Sequence, residues 1–295
     1  MTGSQPVQPA DSPAPKASSK AKAKDDADRP MTALEEAIDI GRTVLIAVAI
    51  TLFVRFFFFQ PFNIPSGSMK PTLLIGDFVL VDKVEYGYSR ASLIWPMTRM
   101  PVHGRVLSDT PNTGEIVVFK NSADKNKDYI KRVIGTPGDT VQVQGGVLYV
   151  NGEQVKRELL QQPSHCNLGA GRIVTTMPVY RETLPNGVSY IIQECRGNSS
   201  VYDNTEAFVV PAGHYFLMGD NRDNSSDSRS DVVGYKPIPA GWEGEETIFH
   251  FVPLDQIVGK ATRVAFSVDG DKAQIWEVWK WPFAIRYSRL MGSVE

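Results

Sequence analysis

The chain opens on a polar stretch, turns abruptly apolar, and then runs to its end in short mixed segments. Residues 1 to about 30 are rich in Ala, Lys, Pro, Ser and Asp and bury too little apolar surface to fold, so residues 1–32 read as a disordered tail. Thr43 to Phe59 reads TVLIAVAITLFVRFFFF, with Arg55 as its one charge. Extended to Phe62, the segment 33–62 has about the length that a helix needs to cross a bilayer core. Beyond it, Asp77–Asp82, Glu115–Lys120 and Val141–Gln144 are β-branched or aromatic runs bounded by turn residues. Gly145-Gly146 and Asn151-Gly152 are hairpin signals, and Gly135 to Asp139 is a further turn. No stretch after residue 90 sustains a helical period for long. The pattern therefore predicts a mostly β protein. One transmembrane helix precedes an antiparallel β body over residues 63–295, which carries an inserted β subdomain at about 140–213.

Two readings compete for the apolar segment, an anchor and a cleavable leader. A leader ends on small residues at an A-x-A-like site, whereas this run ends in Phe56 to Phe59, Gln60 and Pro61, which favours the anchor. Arg55 lies near its distal end, where it reaches the interface or another segment. The Lys and Arg residues before and at its start, ending in Arg29 and Arg42, place the N-terminus in the cytoplasm and everything after Phe62 outside. At 295 residues with 42% hydrophobic content the chain is long enough for a packed core. The net charge of −2, with no basic block interleaved with aromatics in the body, argues against nucleic acid as a partner. Cys166 and Cys195 form a disulfide if their segment faces an oxidising compartment; two buried thiols are the alternative that the sequence leaves open. Near the end, Trp276, Trp279, Trp281 and Phe283 with Arg286 and Arg289 suit either a membrane interface or a last strand on the core.

Three segments carry chemistry. Pro65-Ser66-Gly67-Ser68-Met69 presents two hydroxyls two residues apart, and the glycine between them permits a tight path. One serine can attack while the other, with a backbone N–H, holds an oxyanion; the bland alternative is an ordinary Ser/Gly turn. Lys131 sits among Tyr129, Ile130, Val133 and Ile134. In a strand Tyr129 and Lys131 share one face, Ile130 and Arg132 the other, so one of the two basic residues points away from solvent if one face is buried. A lysine so placed loses its charge by desolvation and becomes able to take a serine proton. The third segment, Gly219 to Arg229, is dense in polar groups. It lacks the central Gly and closing Glu of a calcium loop, and Arg222 and Arg229 oppose a cation, so no metal is expected and carboxylate–guanidinium bracing is the better reading. A Ser/His/Asp triad is a further rival, but there is no G-x-S-x-G elbow, and His103, His165, His214 and His250 sit in no catalytic signature.

PSGSMKPTL at 65–73, GDFVLVDKVEYG at 76–87, YIKRVIGTPGD at 129–139 and GDNRDNSSDSR at 219–229, together with the anchor, resemble the bacterial type I signal peptidase family. The match is looser over about 140–213. The resemblance implies a membrane-bound serine endopeptidase that removes signal peptides from exported preproteins, cutting after small residues of Ala-x-Ala type. It implies Ser68 as nucleophile, Lys131 as general base, Ser66 with the Ser68 N–H as oxyanion donors, and Ser225 as the residue orienting Lys131. Asp227 and Arg229 would brace that loop. Phe62, Ile64, Leu73, Tyr129 and Ile130 would form shallow pockets for small side chains. No cofactor is implied. The partners are preprotein signal peptides and the lipid bilayer, with the export machinery a further candidate. The place is the bacterial inner membrane, with the catalytic domain periplasmic or otherwise extracytoplasmic. The best-known members carry two spans before the body, and this chain shows one. Two other readings stay open: a Ser/Lys peptidase narrowed to a pilus or conjugation substrate, and a membrane-tethered β module without catalysis.

Overall fold

The computed structural model describes residues 32–93, 104–106, 109–120, 127–160, 166–167, 173–174, 177–194, 200, 202–229, 250–270, 272 and 277–294. A helix, α1 (Ala33–Phe57), comes first. Thr32 caps it reciprocally: the Glu35 N–H donates to Thr32 Oγ1 at 3.3 Å and the Thr32 N–H to Glu35 Oε2 at 2.8 Å. Within it Ala33–Arg55, 23 residues with mean hydropathy 2.0, is long and apolar enough to cross a membrane. The apolar run read as continuing to Phe62 is helical only as far as Phe57. Phe59–Asn63 is instead a strand, β1, paired antiparallel with β2 (Asp77–Asp82) from Phe59 opposite Asp82 to Asn63 opposite Phe78. A run of aromatic residues suits strand as well as helix, and the pairing partner decides.

The body is built of antiparallel strands, as the alternation predicts. After β2 come β3 (Tyr88–Ser89), β4 (Arg105–Val106), β5 (Ile116–Lys120) and β6 (Asp128–Gly135). Then follow β7 (Thr140–Gln144), β8 (Val147–Val150), β9 (Glu153–Gln154), β10 (Lys156–Leu160), β11 (Cys166–Asn167), β12 (Ile173–Val174), β13 (Val179–Thr183) and β14 (Ser189–Gln193). The last are β15 (Phe208–Val209), β16 (His214–Met218), β17 (Val252–Pro253), β18 (Ile257–Ser267) and β19 (Gly292–Ser293). The main sheet runs β1-β2-β18-β5-β6-β16-β17, with β19 added on β18. Long-range pairing puts β6, which carries Lys131, between β5 and β16 in its interior.

Both faces of this sheet are covered. Along β5, Ile116 and Val118 enter one apolar cluster with Ile64, Met69, Leu73, Val79, Val81 and Ile130. Val117 and Phe119 enter another with Tyr86, Val133, Tyr215 and Leu217. The consequence for β6 is that every residue from Ile130 to Gly135 is buried. Lys131 is 3% exposed and Arg132 1% exposed, so the alternation that would have turned one of them outward is overridden by packing on both sides.

Residues 140–209 form small sheets between β6 and β16: β15-β7-β8-β9, β10-β13-β14 and β11-β12. Both predicted hairpins are present. Gly145 and Gly146 join β7 to β8, and Asn151 (φ 53°) with Gly152 (φ 79°) join β8 to β9, the two left-handed residues that a tight primed turn demands. Among its described residues no separate core is buried. Val141, Leu148, Tyr190, Ile192 and Phe208 pack in one cluster with Ile134 of β6 and Phe216 and Met218 of β16. The C-terminal aromatic stretch is neither a plain strand nor free. A short helix, α2 (Trp281–Ala284), packs Trp281 on Phe266 with ring centroids 5.8 Å apart, while Trp279 and Phe283 are exposed. Arg289 donates to Asp77 Oδ2 at 2.6 Å and to the Thr72 carbonyl at 2.9 Å, and the fully buried Asp77 also accepts from the Leu74 N–H at 2.8 Å and Ser267 Oγ at 2.6 Å. Arg289 thus ties the 68–74 turn to β2.

Candidate active site

The turn after β1 leads from Ile64, fixed by its N–H to the Asp77 carbonyl at 2.8 Å, into Ser66-Gly67-Ser68. Met69 and Leu73, both fully buried, hold the turn in the core, and the Leu73 N–H closes it on the Met69 carbonyl at 2.8 Å. Behind it lies the segment after β16. The Asn221 N–H donates to the Ser68 carbonyl at 3.0 Å, Asn221 Nδ2 to the Gly67 carbonyl at 2.9 Å, and Thr72 Oγ1 to Asp220 Oδ2 at 2.6 Å. The Ser68 carbonyl is engaged, while its N–H has no protein acceptor among the described residues.

β6 brings Lys131 to this turn. Its Nζ donates to Ser68 Oγ at 2.8 Å and to the Ile130 carbonyl at 3.0 Å, and Ser66 Oγ lies 3.5 Å from Ser68 Oγ. Burial lowers the Lys131 amine from the ordinary lysine range to about 8. Asp227 and Asp220 pull it back up, and Arg229 pushes it further down. Burial alone does not mark a site. Lys83 is fully buried and lowered to about 8 by desolvation, then by Arg55 and Lys120, yet its Nζ has no hydrogen-bond partner among the described residues. A hydroxyl within proton-transfer distance distinguishes Lys131.

Three buried arginines on β6 and the 219–229 segment are each paired with a carboxylate. Arg132 donates through Nε and Nη2 to the two oxygens of Asp220 at 2.9 and 2.8 Å. Arg229 donates likewise to Asp227 at 2.9 and 2.8 Å, and its Nη2 reaches the Arg222 carbonyl at 2.7 Å. Asp227, despite burial that would raise it, is held below the usual carboxylate range by Arg229 and by the Gly219 N–H. Arg222 pairs with Glu182. Asp227 and Arg229, both read as bracing the loop, pair with each other, whereas Arg132–Asp220 and Arg222–Glu182 join partners 88 and 40 residues apart, beyond the reach of a local pattern.

A cleft of about 580 Å³ opens over the pair, lined by Phe62, Ile64, Tyr129 and Ile130 with Ser66, Ser68, Asn224 and Ser226. Leu73, expected among its lining, is instead wholly in the core beneath the turn, because its helical-turn hydrogen bond points it inward. Ser225, expected to orient Lys131, makes no hydrogen bond to it. Its buried hydroxyl leans toward Asp227 without hydrogen-bond geometry and crowds Gly219. The Cys166–Cys195 pairing lies outside the described residues, as do His103 and His165, whereas His214 and His250 hydrogen-bond the carbonyls of Ala212 and Ser228.

The chain is similar to known proteins over most of its length. The family model described as signal peptidase, peptidase S26, matches residues 37–266. The signal peptidase I of Rickettsia bellii (strain OSU 85-389) is 33% identical over 266 residues, covering 86% of this chain and 84% of its own. That of Rickettsia prowazekii (strain Madrid E) is 34% identical over 260 residues, covering 84% and 90%. A crystal structure of a signal peptidase I from Enterococcus faecalis, 22% identical, covers 52% of this chain and 98% of its own with a TM-score of 0.28.

The site leaves no room at Gly219. A Cβ there would lie 2.2 Å from Ser225 Oγ and 2.6 Å from the Ser68 carbonyl oxygen. Gly219→Ala should therefore displace the Ser68 turn and slow acylation of Ser68 by a serine-directed electrophile by about 10²-fold, read by intact mass against time. Labelling at the native rate would show that the turn tolerates the intrusion.

Proposed function

This chain belongs to the signal peptidase family, peptidase S26, whose members are serine endopeptidases that remove signal peptides from preproteins, and on that premise we propose that Ser68 and Lys131 are its catalytic dyad. The observation that carries the reading is the 2.8 Å contact between a buried amine of lowered basicity and a serine hydroxyl. Uncharged Lys131 takes the Ser68 proton as Oγ attacks the scissile carbonyl carbon. The oxyanion of the tetrahedral intermediate accepts from the Ser68 N–H and the Ser66 hydroxyl. Collapse expels the amine of the mature chain, which receives the proton from Lys131 Nζ. Water then attacks the ester, giving its proton to the same lysine, and Ser68 Oγ recovers it as the leader leaves.

The shallow apolar lining of Phe62, Ile64, Tyr129 and Ile130 suits small side chains, hence cleavage after Ala-x-Ala type sequences. A lysine base works without an Asp–His pair beside it. In this reading Asp227 and Arg229 stiffen the loop behind Lys131, and α1 anchors the chain once in the bacterial inner membrane. Its N-terminus is cytoplasmic and the body from about residue 63 is periplasmic, where the export machinery delivers substrate.

Detergent-solubilised protein given a leader-bearing preprotein should release the mature chain, with its new N-terminus after a small residue. Ser68→Ala and Lys131→Ala should be inactive. Ser66→Ala should lose about 10²-fold in kcat, as removal of one oxyanion donor does. Full activity in either dyad variant would reject the assignment.

The sign of the pH dependence follows from the base. Below about 8 Lys131 carries a proton and cannot take another, so kcat/KM should fall about tenfold per pH unit on the acid side of that value. A profile flat from about pH 6 to about pH 9 contradicts a lysine base.

For the topology, protease added to right-side-out spheroplasts should digest the body while a tag at residue 1 stays protected. A protected body and an accessible tag would reverse the orientation.

A further inference from the structure

The β13–β14 hairpin belongs to the region between β6 and β16 and contributes no residue to the cleft. Two of its side chains nevertheless enter the buried polar ground behind Ser68 and Lys131. Glu182, 1% exposed, accepts from Arg222 Nη1 at 3.1 Å, from Arg222 Nη2 and from the Tyr190 hydroxyl at 3.0 Å. Tyr190, 4% exposed, lies with its ring centroid 4.2 Å from the guanidinium of Arg132, the residue after Lys131. The end of the hairpin then grips the loop by its backbone. The Gln193 N–H donates to the Asp220 carbonyl and the Arg222 N–H to the Gln193 carbonyl, each at 3.0 Å.

The hairpin thus touches both supports of the pair: β6 through Tyr190 on Arg132, and the Asp220-Asn221-Arg222 segment through Glu182 and Gln193. That segment holds the nucleophile turn, since Asn221 binds the carbonyls of both Gly67 and Ser68. Arg222 is 3% exposed, and a buried guanidinium stripped of its carboxylate either moves toward water or draws water inward. Either movement starts one residue from Asn221. Cleft residues on β1 and β6 are not part of this chain of contacts.

We propose that Glu182 is a positioning residue for catalysis, acting through Arg222 to hold the segment on which Ser68 is seated. The inserted hairpin is on this view a working part of the active site. The proposal rests on the Ser68–Lys131 reading, and its test separates the two.

Full-length protein in detergent is assayed on a leader-bearing preprotein at a temperature well below each variant's melting midpoint, so that unfolded protein contributes nothing. Glu182→Gln lowers kcat about tenfold or more while KM stays within about twofold, because the Ser68 turn is displaced while the apolar lining from Phe62, Tyr129 and Ile130 is not. Arg222→Gln lowers it similarly, and the double variant loses no more than the worse single, since both remove one interaction. Tyr190→Phe, which drops only the hydroxyl on Glu182, shows a smaller kcat loss in the same direction and serves if Glu182→Gln does not fold. Glu158→Gln, which removes the exposed pair with Arg181 on the same small sheet, leaves kcat and KM unchanged. Native kcat in Glu182→Gln or Tyr190→Phe, a loss confined to KM, or additive single effects would each overturn the proposal. If Ser68→Ala and Lys131→Ala are inactive while Glu182→Gln turns over normally, only the role of Glu182 falls. An active Ser68→Ala removes the reading beneath it.

Discussion

An ammonium group brought out of water loses more hydration than any single neighbour restores, and the structure is arranged around one amine held in that condition. Charged groups act on Lys131, yet each is itself paired: Asp220 with Arg132 and Asp227 with Arg229. An unpaired carboxylate near the lysine would favour its charged form, and an unpaired guanidinium would depress its basicity beyond use. With the pairs complete, desolvation dominates and leaves the amine at about 8, poised between the two.

Desolvation of that kind demands cover on both faces of the strand that carries the lysine. The main sheet meets the demand by placing β6 in its interior, with β5 on one side, β16 on the other, and apolar clusters above and below. The serine is brought to the lysine from a different part of the chain, by a turn whose Met69 and Leu73 are sunk in one of those clusters. Core packing and active-site geometry are therefore one problem here. The same burial that stabilises the fold weakens the hold of the Lys131 amine on its proton.

How far the chain reveals this in advance depends on the range of each interaction. The Ser66-Gly67-Ser68 turn, the hairpins at 145–146 and 151–152, and the strands over 77–82 and 116–120 are local matters of turn chemistry and alternation, and they were legible. Burial of both Lys131 and Arg132 was not, because alternation assigns one to each face and cannot foresee that Tyr190, from 58 residues on, covers the second. The end of the helix falls short of the apolar run for a related reason: Pro61 cannot continue a helix, and Phe59 to Phe62 pairs with Val79 to Asp82 as a strand. Leu73 was expected in the cleft because the motif places it near Ser68, whereas a closed turn buries it. Arg286 and Arg289, read as suiting either a membrane interface or a last strand, pair with Asp77, more than two hundred residues earlier.

In a triad, a carboxylate fixes the orientation of the histidine base, a task that needs a third residue because an imidazole has two nitrogens to distinguish. A lysine has one nitrogen at the end of a flexible stem, and its difficulty is entropic instead. Here the stem is confined by the interior of the sheet, the Nζ is registered by the Ile130 carbonyl on one side and Ser68 Oγ on the other, and no hydroxyl from Ser225 completes the set. On the proposed dyad, packing does the orienting that hydrogen bonding does in a triad. On that proposal, residues remote from the lysine that set the packing of β6 and of the 219–229 segment bear on the chemistry alongside those that touch it.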